Sequence, residues 1–393
     1  MIDASGLRTG NEPEQWMHNY GTSLTPALHA MDGGLLRRAV ARAGYNSRPA
    51  VLGPATAVAE CSSWLGGYNR CMKPAKRGVP ADGDNYMTCM CGFQYLEEFL
   101  RGSNATDPPV DAITFHAYPL SPPGRHVTAN DLHQDISLLN NTRAAIAGVR
   151  AAVDKTLGRQ FPVQCLEGAP GLQDAGGSAC HIGLGPDGRF HIPSRTCGTN
   201  ITFVMANFDM AGSLAAGGAE RYARQALNGI LGFGCENTSD SYVNPGYWVS
   251  ILWNSVMGTE VRLVDTAGAP RTLRAYAHSN ASSMGVLLLN FDRDAEISVQ
   301  LRLPPEQGTC LSQRSYSVVA GPDQRWRHNA DVHSTPGILI NGRAPSFTDG
   351  VAAVRPFEAP SRACDGRVTV GAESLAFVSF KLKSGKVANE LPQ

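Results

Sequence analysis

Two glutamates stand at the ends of apolar runs, where a carboxylate is available for chemistry. Glu12 lies in the tetrapeptide Gly-Asn-Glu-Pro at 10–13, and Glu167 directly follows the run Val-Gln-Cys-Leu at 163–166. Retaining glycoside hydrolysis uses two carboxyl groups, one as nucleophile and one as acid and base. We therefore interpret the rest of the chain as a frame that holds Glu12 and Glu167 close together.

The elements that would position these glutamates alternate between helix and strand. Apolar residues recur at helical spacing over 27–43, 86–100, 129–157, 199–218 and 244–256. Strands are predicted from the short apolar runs at 50–54, 110–116, 161–166 and 226–233. This alternation predicts a parallel sheet covered by helices. Chemistry in such barrel enzymes lies at the carboxyl ends of the strands, and the residues there are Asn11, Glu12, His116, Tyr118 and Glu167.

The pattern changes at about residue 259. Short alternating or apolar runs, separated by turns, occupy 260–264, 285–291, 297–301 and 375–380. They predict an antiparallel β-sandwich. The expected domains are therefore an α/β domain at 1–258 and an all-β domain at 259–393. About four strand–helix units and the strand before Glu12 are fewer than the eight of a closed barrel, so a partial barrel is expected.

Composition narrows the class of partner. Lysine plus arginine and aspartate plus glutamate both number 34, and this balance argues against a nucleic-acid-binding protein. The chain has no run of about 18 apolar residues, so we predict no membrane span. The cysteines and histidines are not spaced as a set of metal ligands, so we expect no metal site. The sequence also lacks a glycine-rich phosphate-binding loop, so we expect no cofactor.

Cysteine usage and acceptor sequons favour an oxidising compartment. The ten cysteines include three candidate disulfide pairs, namely Cys61 with Cys71, Cys180 with Cys197, and Cys310 with Cys364. N-glycosylation sequons occur at Asn104, Asn140, Asn200, Asn237 and Asn280. We expect an extracellular or lysosomal glycoprotein. Residues 1–6 lack the features of a signal peptide, so a missing N-terminal segment is expected.

The ordered motifs resemble the heparanase-like β-glucuronidases of glycoside hydrolase family 79, in clan A. Residues 10–13 match the acid/base motif on the fourth barrel strand, and Thr-Phe-His-Ala-Tyr at 114–118 is similar to the sixth strand. Leu166-Glu167, with Gly176-Gly177 after it, is similar to the nucleophile strand and its glycine loop. Later similarities, to the last barrel helix and to sandwich strands, fall at 247–252, 258–261, 339–342 and 377–380.

The resemblance implies a fold and the roles of the two glutamates. The fold would be an incomplete TIM-type (β/α)8 barrel, with strands 4 to 8 present, followed by a C-terminal antiparallel β-sandwich. Glu167 would be the nucleophile and Glu12 the proton donor. Their carboxyl groups would lie about 5–5.5 Å apart, as a retaining mechanism requires. The substrate would be a glucuronic-acid-bearing glycan or proteoglycan, met in the matrix or at a membrane surface.

The same resemblance implies five binding residues. Asn11 would bond the sugar 2-hydroxyl, Tyr118 would orient Glu167, and His116 would line the pocket. The backbone amides of Gly176 and Gly177 would receive the sugar carboxylate, because glycine lets the backbone approach a ligand closely.

The chain also departs from the family pattern. Leu166 stands where the family has glycine before the nucleophile, and Gly168 stands where it has a small polar residue. The spacing from Glu167 to Gly176 is also longer. Two alternatives therefore remain open. One is a catalytically inactive, heparanase-like glycan-binding or interaction protein, and the other is a clan A hydrolase for a neutral sugar.

Overall fold

The computed structural model describes residues 6–8, 25–44, 49–57, 92–120, 127, 129–170, 183–184, 190–191, 201–224, 245–304, 308–321, 338–345 and 359–383. The helices, numbered in chain order, are α1 (Pro26–Arg42), α2 (Gly92–Leu100), α3 (Ala129–Gln134), α4 (Asn140–Thr156), α5 (Ile201–Ala216) and α6 (Pro245–Val256). The strands are β1 (Gly6–Arg8), β2 (Ala50–Ala57), β3 (Ala112–Ala117), β4 (Val163–Gly168), β5 (Gly183–Leu184), β6 (Phe190–His191), β7 (Arg221–Arg224), β8 (Glu260–Arg262), β9 (Leu273–Asn280), β10 (Ser283–Asn290), β11 (Ile297–Gln300), β12 (Cys310–Ala320), β13 (Ile338–Ile340), β14 (Arg367–Val370) and β15 (Ser374–Leu382).

The described residues form two packing units. The first is drawn from Met1–Val127, Ser137–Gly171 and Ser213–Gln225. The second is drawn from Thr128–Ile136, Leu172–Gly212 and Ala226–Gln393. Each unit combines segments that are distant in the chain. The domain boundary that we expect near residue 258 stays a prediction.

The first unit contains a parallel sheet. Its strands lie in the order β1-β2-β3-β4-β7, and each pairs in parallel with the next. The order follows the chain, without the reversal that marks a doubly wound sheet. Every residue of β3 is buried, as expected for a parallel strand that is covered on both faces. The parallel sheet is therefore confirmed, whereas the incomplete barrel stays a prediction.

Within the described residues, the sheet contains one strand that we did not predict. β7 comprises the sequence Arg-Tyr-Ala-Arg at 221–224, while the predicted strand at 226–233 lies outside the described residues. Two arginines in four residues weaken the apolar pattern of β7, and its pairing with β4 overrides this weak local signal. The strand at 226–233 stays a prediction.

Helix α1 is present as predicted, but of its apolar stripe only Val40 is buried. Leu28, Met31 and Leu35 are each about half exposed, at 49%, 52% and 52%. The packed face is small and polar instead. A Cβ atom on Gly33 would lie only 2.8 Å from the Pro109 carbonyl oxygen, so glycine allows this close approach. His29 lies beside it on the buried face.

Polar contacts fix this face of α1. The Nδ1 atom of His29 lies 3.1 Å from the Tyr95 hydroxyl, and its ring meets the edge of Phe99 with centroids 5.1 Å apart. The guanidinium of Arg37 donates to the Pro108 carbonyl and lies 3.4 Å from the Asp111 carboxylate. These contacts tie α1 to α2 and to the loop before β3. They select a face that hydrophobic periodicity does not reveal.

The single helix that we predict over 129–157 is interrupted. α3 ends at Gln134, a 3₁₀ turn occupies Ile136–Leu139, and α4 begins at Asn140. The break falls where the chain passes from the second packing unit to the first. His133, before the break, contacts the Phe291 carbonyl, while Asn141, after it, donates to the Pro119 carbonyl.

The second unit contains antiparallel sheets. The larger has the order β13-β12-β15-β10-β9-β8, and a separate pair joins β11 with β14. Alternate residues of β14 are buried, whereas seven of the eight residues of central β10 are buried. Val368 and Val370 of β14 share a core with Val286 and Leu288 of β10. The antiparallel arrangement is confirmed, and the β-sandwich stays a prediction.

A disulfide closes one loop of this unit. Cys310 bonds Cys364, as predicted, across a sequence separation of 54 residues. The other two candidate pairs lie outside the described residues. Within the part of the chain that the structure describes, no helix is long and apolar enough to cross a membrane.

Loss of the disulfide should lower stability through the entropy of the unfolded chain. We expect the double variant Cys310→Ser, Cys364→Ser to lose about 2–4 kcal/mol in free energy of unfolding. Urea unfolding followed by circular dichroism would measure this. Reductant should bring the wild-type curve onto that of the variant, and an unchanged midpoint would contradict the prediction.

A charged cluster joins three segments of the second unit. The Nε2 atom of His133 lies 3.0 Å from the Glu373 carboxylate, and its Nδ1 atom lies 3.2 Å from the Phe291 carbonyl oxygen. The Thr202 hydroxyl also donates to Glu373. Burial alone would raise the pKa of Glu373. The hydrogen bonds from His133 and Thr202, aided by the charges of His133 and Arg293, outweigh it and hold this pKa below the ordinary value of 4.5.

This shift predicts a pH dependence of stability. The pKa of Glu373 is lower in the folded state, so its contribution is complete above the unfolded value and is lost as pH falls through the folded value. We expect Glu373→Gln to destabilise the protein by about 1–2 kcal/mol at neutral pH. The difference from wild type should vanish in acid. Unfolding curves between about pH 6 and pH 2 measure it, and a constant difference would be evidence against the cluster.

Candidate active site

The parallel pairing of β3 with β4 brings His116 opposite Glu167. The two are partners in the register of the sheet, near the carboxyl ends of both strands. The Nε2 atom of His116 lies 3.8 Å from Oε2 of Glu167. The histidine side chain is fully buried, while the glutamate side chain is 20% exposed. A carboxylate that is held on one side and open on the other can meet a substrate.

Tyr118 contacts the other carboxylate oxygen. It follows the last residue of β3, and its hydroxyl donates a hydrogen bond of 2.5 Å to Oε1 of Glu167. The bond restricts rotation of the Glu167 side chain. The structure therefore brings together three of the predicted site residues, His116, Tyr118 and Glu167.

The strand that carries Glu167 is irregular next to it. On the β3 side, Cys165 pairs with Phe115 and Glu167 with His116, so Leu166 has no partner in the register. On the β7 side, Cys165 pairs with Tyr222 and Gly168 is the next to pair. An extra residue of this kind is a β-bulge, which bends a strand and redirects a side chain. Leu166 is buried in a cluster with Leu52 and Ala112, so the bulge is anchored by apolar packing.

Two side chains contact the backbone at this bulge. The Cys165 thiol donates to the Glu167 carbonyl oxygen at 3.5 Å, and the Tyr222 hydroxyl donates to the Gly168 carbonyl oxygen at 3.3 Å. Desolvation raises the pKa of Cys165 to about 12 and also raises the pKa of Tyr222. Both groups therefore stay protonated and remain donors near neutral pH.

A guanidinium lies on the neighbouring strand. Arg224 is the register partner of Gly168, at the end of β7. Desolvation lowers the pKa of Arg224 from the ordinary value of 12.5. Sequence reasoning missed Cys165, Tyr222 and Arg224. Strand β7 was not predicted, and no spacing motif links these residues to Glu167.

The other predicted site residues are Asn11, Glu12, Gly176 and Gly177. All four lie outside the described residues, so their roles and the distance between the two glutamates stay predictions. Within the described ranges, no group of three or more histidine, cysteine, aspartate or glutamate side chains is gathered as metal ligands.

Comparison of the sequence finds relatives over part of the chain. A segment of 99 residues, 25% of this chain, is 30% identical to the baicalin-beta-D-glucuronidase of Scutellaria baicalensis and spans 18% of it. An alignment of 190 residues is 30% identical to heparanase-like protein 3 of Arabidopsis thaliana. It covers 44% of this chain and 35% of that relative. No profile of a known protein family matches the chain.

Comparison of the fold finds solved glycoside hydrolases. The arabinofuranosidase of glycoside hydrolase family 51 from Xanthomonas axonopodis pv. citri has a TM-score of 0.56 and 13% identity, over 96% of this chain and 66% of that one. The family 44 xyloglucanase of Paenibacillus polymyxa has a TM-score of 0.55 and 12% identity, over 96% and 66%. Likeness at this identity concerns the fold alone.

The similarity of fold defines a broad class of protein, and the similarity of sequence points to a narrower group within it. The chain has the fold of glycoside hydrolases, and the curated proteins that it resembles include a glucuronidase. Within that class, its sequence is similar to heparanase-like proteins at low identity and over part of its length. The resemblance inferred from the ordered motifs is therefore confirmed. The aligned segments span about a third of these relatives at most.

The buried thiol beside the site should be unreactive. Because burial raises the pKa of Cys165 to about 12, little thiolate exists near neutral pH. We expect iodoacetamide to modify the peptide that carries Cys165 at least about a hundredfold more slowly in the folded protein than in urea. Mass spectrometry of the digest would compare the two rates. Rapid labelling in the folded state would show that the thiol is accessible.

Proposed function

We propose that this protein is a retaining glycoside hydrolase that cleaves β-glucuronide bonds in a glycan or proteoglycan. The observation that carries the proposal is the contact of Tyr118 with Glu167, with His116 opposite, at the carboxyl ends of two parallel strands. The glucuronide is supported by similarity to a protein named for β-glucuronidase activity and to heparanase-like proteins.

In this proposal Glu167 forms the covalent intermediate. Its carboxylate attacks the anomeric carbon, the glycosidic bond breaks, and the leaving oxygen takes a proton from Glu12. Water then attacks the glycosyl ester, Glu12 accepts a proton from that water, and Glu167 leaves as a carboxylate. The β configuration is retained because two inversions occur. The Tyr118 hydroxyl, bound to Oε1, orients the carboxylate so that Oε2 is presented for attack.

The remaining contacts belong to substrate binding. His116 lines the pocket, and Asn11 bonds the sugar 2-hydroxyl. The amides of Gly176 and Gly177 receive the sugar carboxylate. The five parallel strands, whose order follows the chain, would be strands 4 to 8 of a (β/α)8 barrel. A β-sandwich would complete the protein at 259–393.

We also propose an extracellular or lysosomal location. The disulfide between Cys310 and Cys364 supports it, since such bonds persist in oxidising compartments. The partner there is a glucuronic-acid-containing glycan, free or carried on a proteoglycan of the matrix or cell surface.

Substitution of the two glutamates tests the proposal, with aryl β-D-glucuronides as substrates. Glu167→Gln should lower kcat by about a thousandfold or more with every leaving group, because it removes the nucleophile. Glu12→Gln should lower kcat/KM, which reports the first step, by about 10²–10⁴-fold with a basic leaving group and far less with an acidic phenol, which needs no proton. NMR of the first-formed product should show the β anomer.

Three outcomes would contradict the proposal. Turnover retained by Glu167→Gln would remove the nucleophile assignment, and an α anomer would remove the retaining mechanism. If the wild-type chain binds glucuronic-acid glycans but turns none over, the inactive binding protein becomes the better description. Turnover confined to neutral aryl glycosides would favour the hydrolase of a neutral sugar.

A further inference from the structure

Two side chains with no assigned role in the proposed reaction, those of Cys165 and Tyr222, donate hydrogen bonds to the backbone around Glu167. The bulge at Leu166 interrupts the regular register of β4 with both neighbouring strands. The two carbonyl groups that follow it, those of Glu167 and Gly168, receive hydrogen bonds from Cys165 and Tyr222. One bond comes from the same strand and the other comes from β7.

Each of these contacts has a defined direction. A carbonyl oxygen only accepts, so the Tyr222 hydroxyl and the Cys165 thiol must donate. Because both groups are desolvated, their protons are retained near neutral pH. In the folded protein, the two donors therefore form hydrogen bonds with the carbonyl groups of Glu167 and Gly168.

We infer that Tyr222 is a positioning residue for Glu167, acting through the Gly168 carbonyl to hold the bulged end of β4 and so aim the carboxylate at its target. Cys165 supports it at the Glu167 carbonyl. The inference rests on the proposed function of Glu167 as nucleophile. It concerns a residue of β7 that no local motif connects with the site.

Two tyrosines therefore restrain different parts of Glu167. Tyr118 fixes the side chain of Glu167 at Oε1, whereas Tyr222 fixes the main chain one residue further on. The attacking oxygen is fixed only if both are held. A small misplacement of a reacting group costs rate without removing any contact with substrate. Loss of Tyr222 should therefore slow the covalent step and leave substrate affinity largely unchanged.

The test compares wild type with Tyr222→Phe, which removes one oxygen atom and keeps the ring. A 2-deoxy-2-fluoro-β-D-glucuronyl fluoride serves as the probe, because Glu167 displaces fluoride and the fluorinated ester then accumulates. Mass spectrometry locates the label and gives its rate. We expect the rate of labelling and kcat to fall by about three- to tenfold, with KM changed less than about twofold.

A matched control is available in the antiparallel unit. The buried Tyr276 hydroxyl donates to the Asp209 carboxylate at 2.7 Å, so Tyr276→Phe removes the same atom from a buried hydrogen bond elsewhere. It should lower the thermal midpoint without slowing the labelling of Glu167. A pair of substitutions at Cys165 adds a second check. Cys165→Ser keeps a donor and should label faster than Cys165→Ala.

Hydrogen exchange supplies a readout that does not depend on activity. The amides of residues 163–170 should exchange faster in Tyr222→Phe than in wild type and than in Tyr276→Phe. If wild type labels at Glu167 and Tyr222→Phe labels at the same rate, the inference is overturned while the proposed function stands. If wild type is neither labelled nor active, the proposed function fails and the positioning role fails with it. Unchanged exchange at 163–170 would also overturn the inference.

Discussion

The register between β3 and β4 is the constraint on which the candidate site depends. Tyr118 and Glu167 are 49 residues apart in the chain, and only parallel pairing of their strands brings them into contact. A slip by one residue would turn Glu167 to the opposite face of the sheet. The bulge at Leu166 works within this register, since it absorbs one residue and leaves His116 opposite Glu167.

The departure from the family pattern has a physical place in this arrangement. Leu166 stands where the family has glycine, and a leucine needs space that a glycine does not. That space lies in the apolar cluster with Leu52 and Ala112. The substitution is thus accommodated by packing and does not displace the contact between Tyr118 and Glu167. Resemblance to the family and local difference from it are compatible for this reason.

The antiparallel unit is stabilised by a disulfide and by buried polar contacts, in addition to apolar packing. Besides its apolar core, it has the disulfide at Cys310 and the charged cluster around Glu373. Asn290 is fully buried, and its amide donates to the carbonyl groups of Ala295 and Gly371, both at 2.8 Å. These polar contacts fix turns rather than strands. A buried amide without such partners would destabilise the unit, so the turn before β11 and the turn after β14 are specified together.

Sequence alone determined the kinds of element and several of their residues. The spacing of apolar residues over 27–43 predicted α1, and the apolar stretches at 199–218 and 110–116 predicted α5 and the buried strand β3. Alternation of these elements predicted the parallel sheet, and the change of pattern predicted the antiparallel one. The spacing of the cysteines suggested the bond between Cys310 and Cys364. Ordered motifs singled out His116, Tyr118 and Glu167.

Tertiary structure alone decided which faces and which distant residues meet. The buried face of α1 is set by the close approach of Gly33 to Pro109 and by Arg37, not by Leu28, Met31 or Leu35. The contact of Tyr222 with Gly168 depends on the position of β7 beside β4. The local spacing of apolar residues indicates whether a segment is a helix or a strand. This spacing carries no information on the register between strands that are distant in the chain. Register decides that the Tyr222 hydroxyl reaches the carbonyl group of Gly168, next to Glu167.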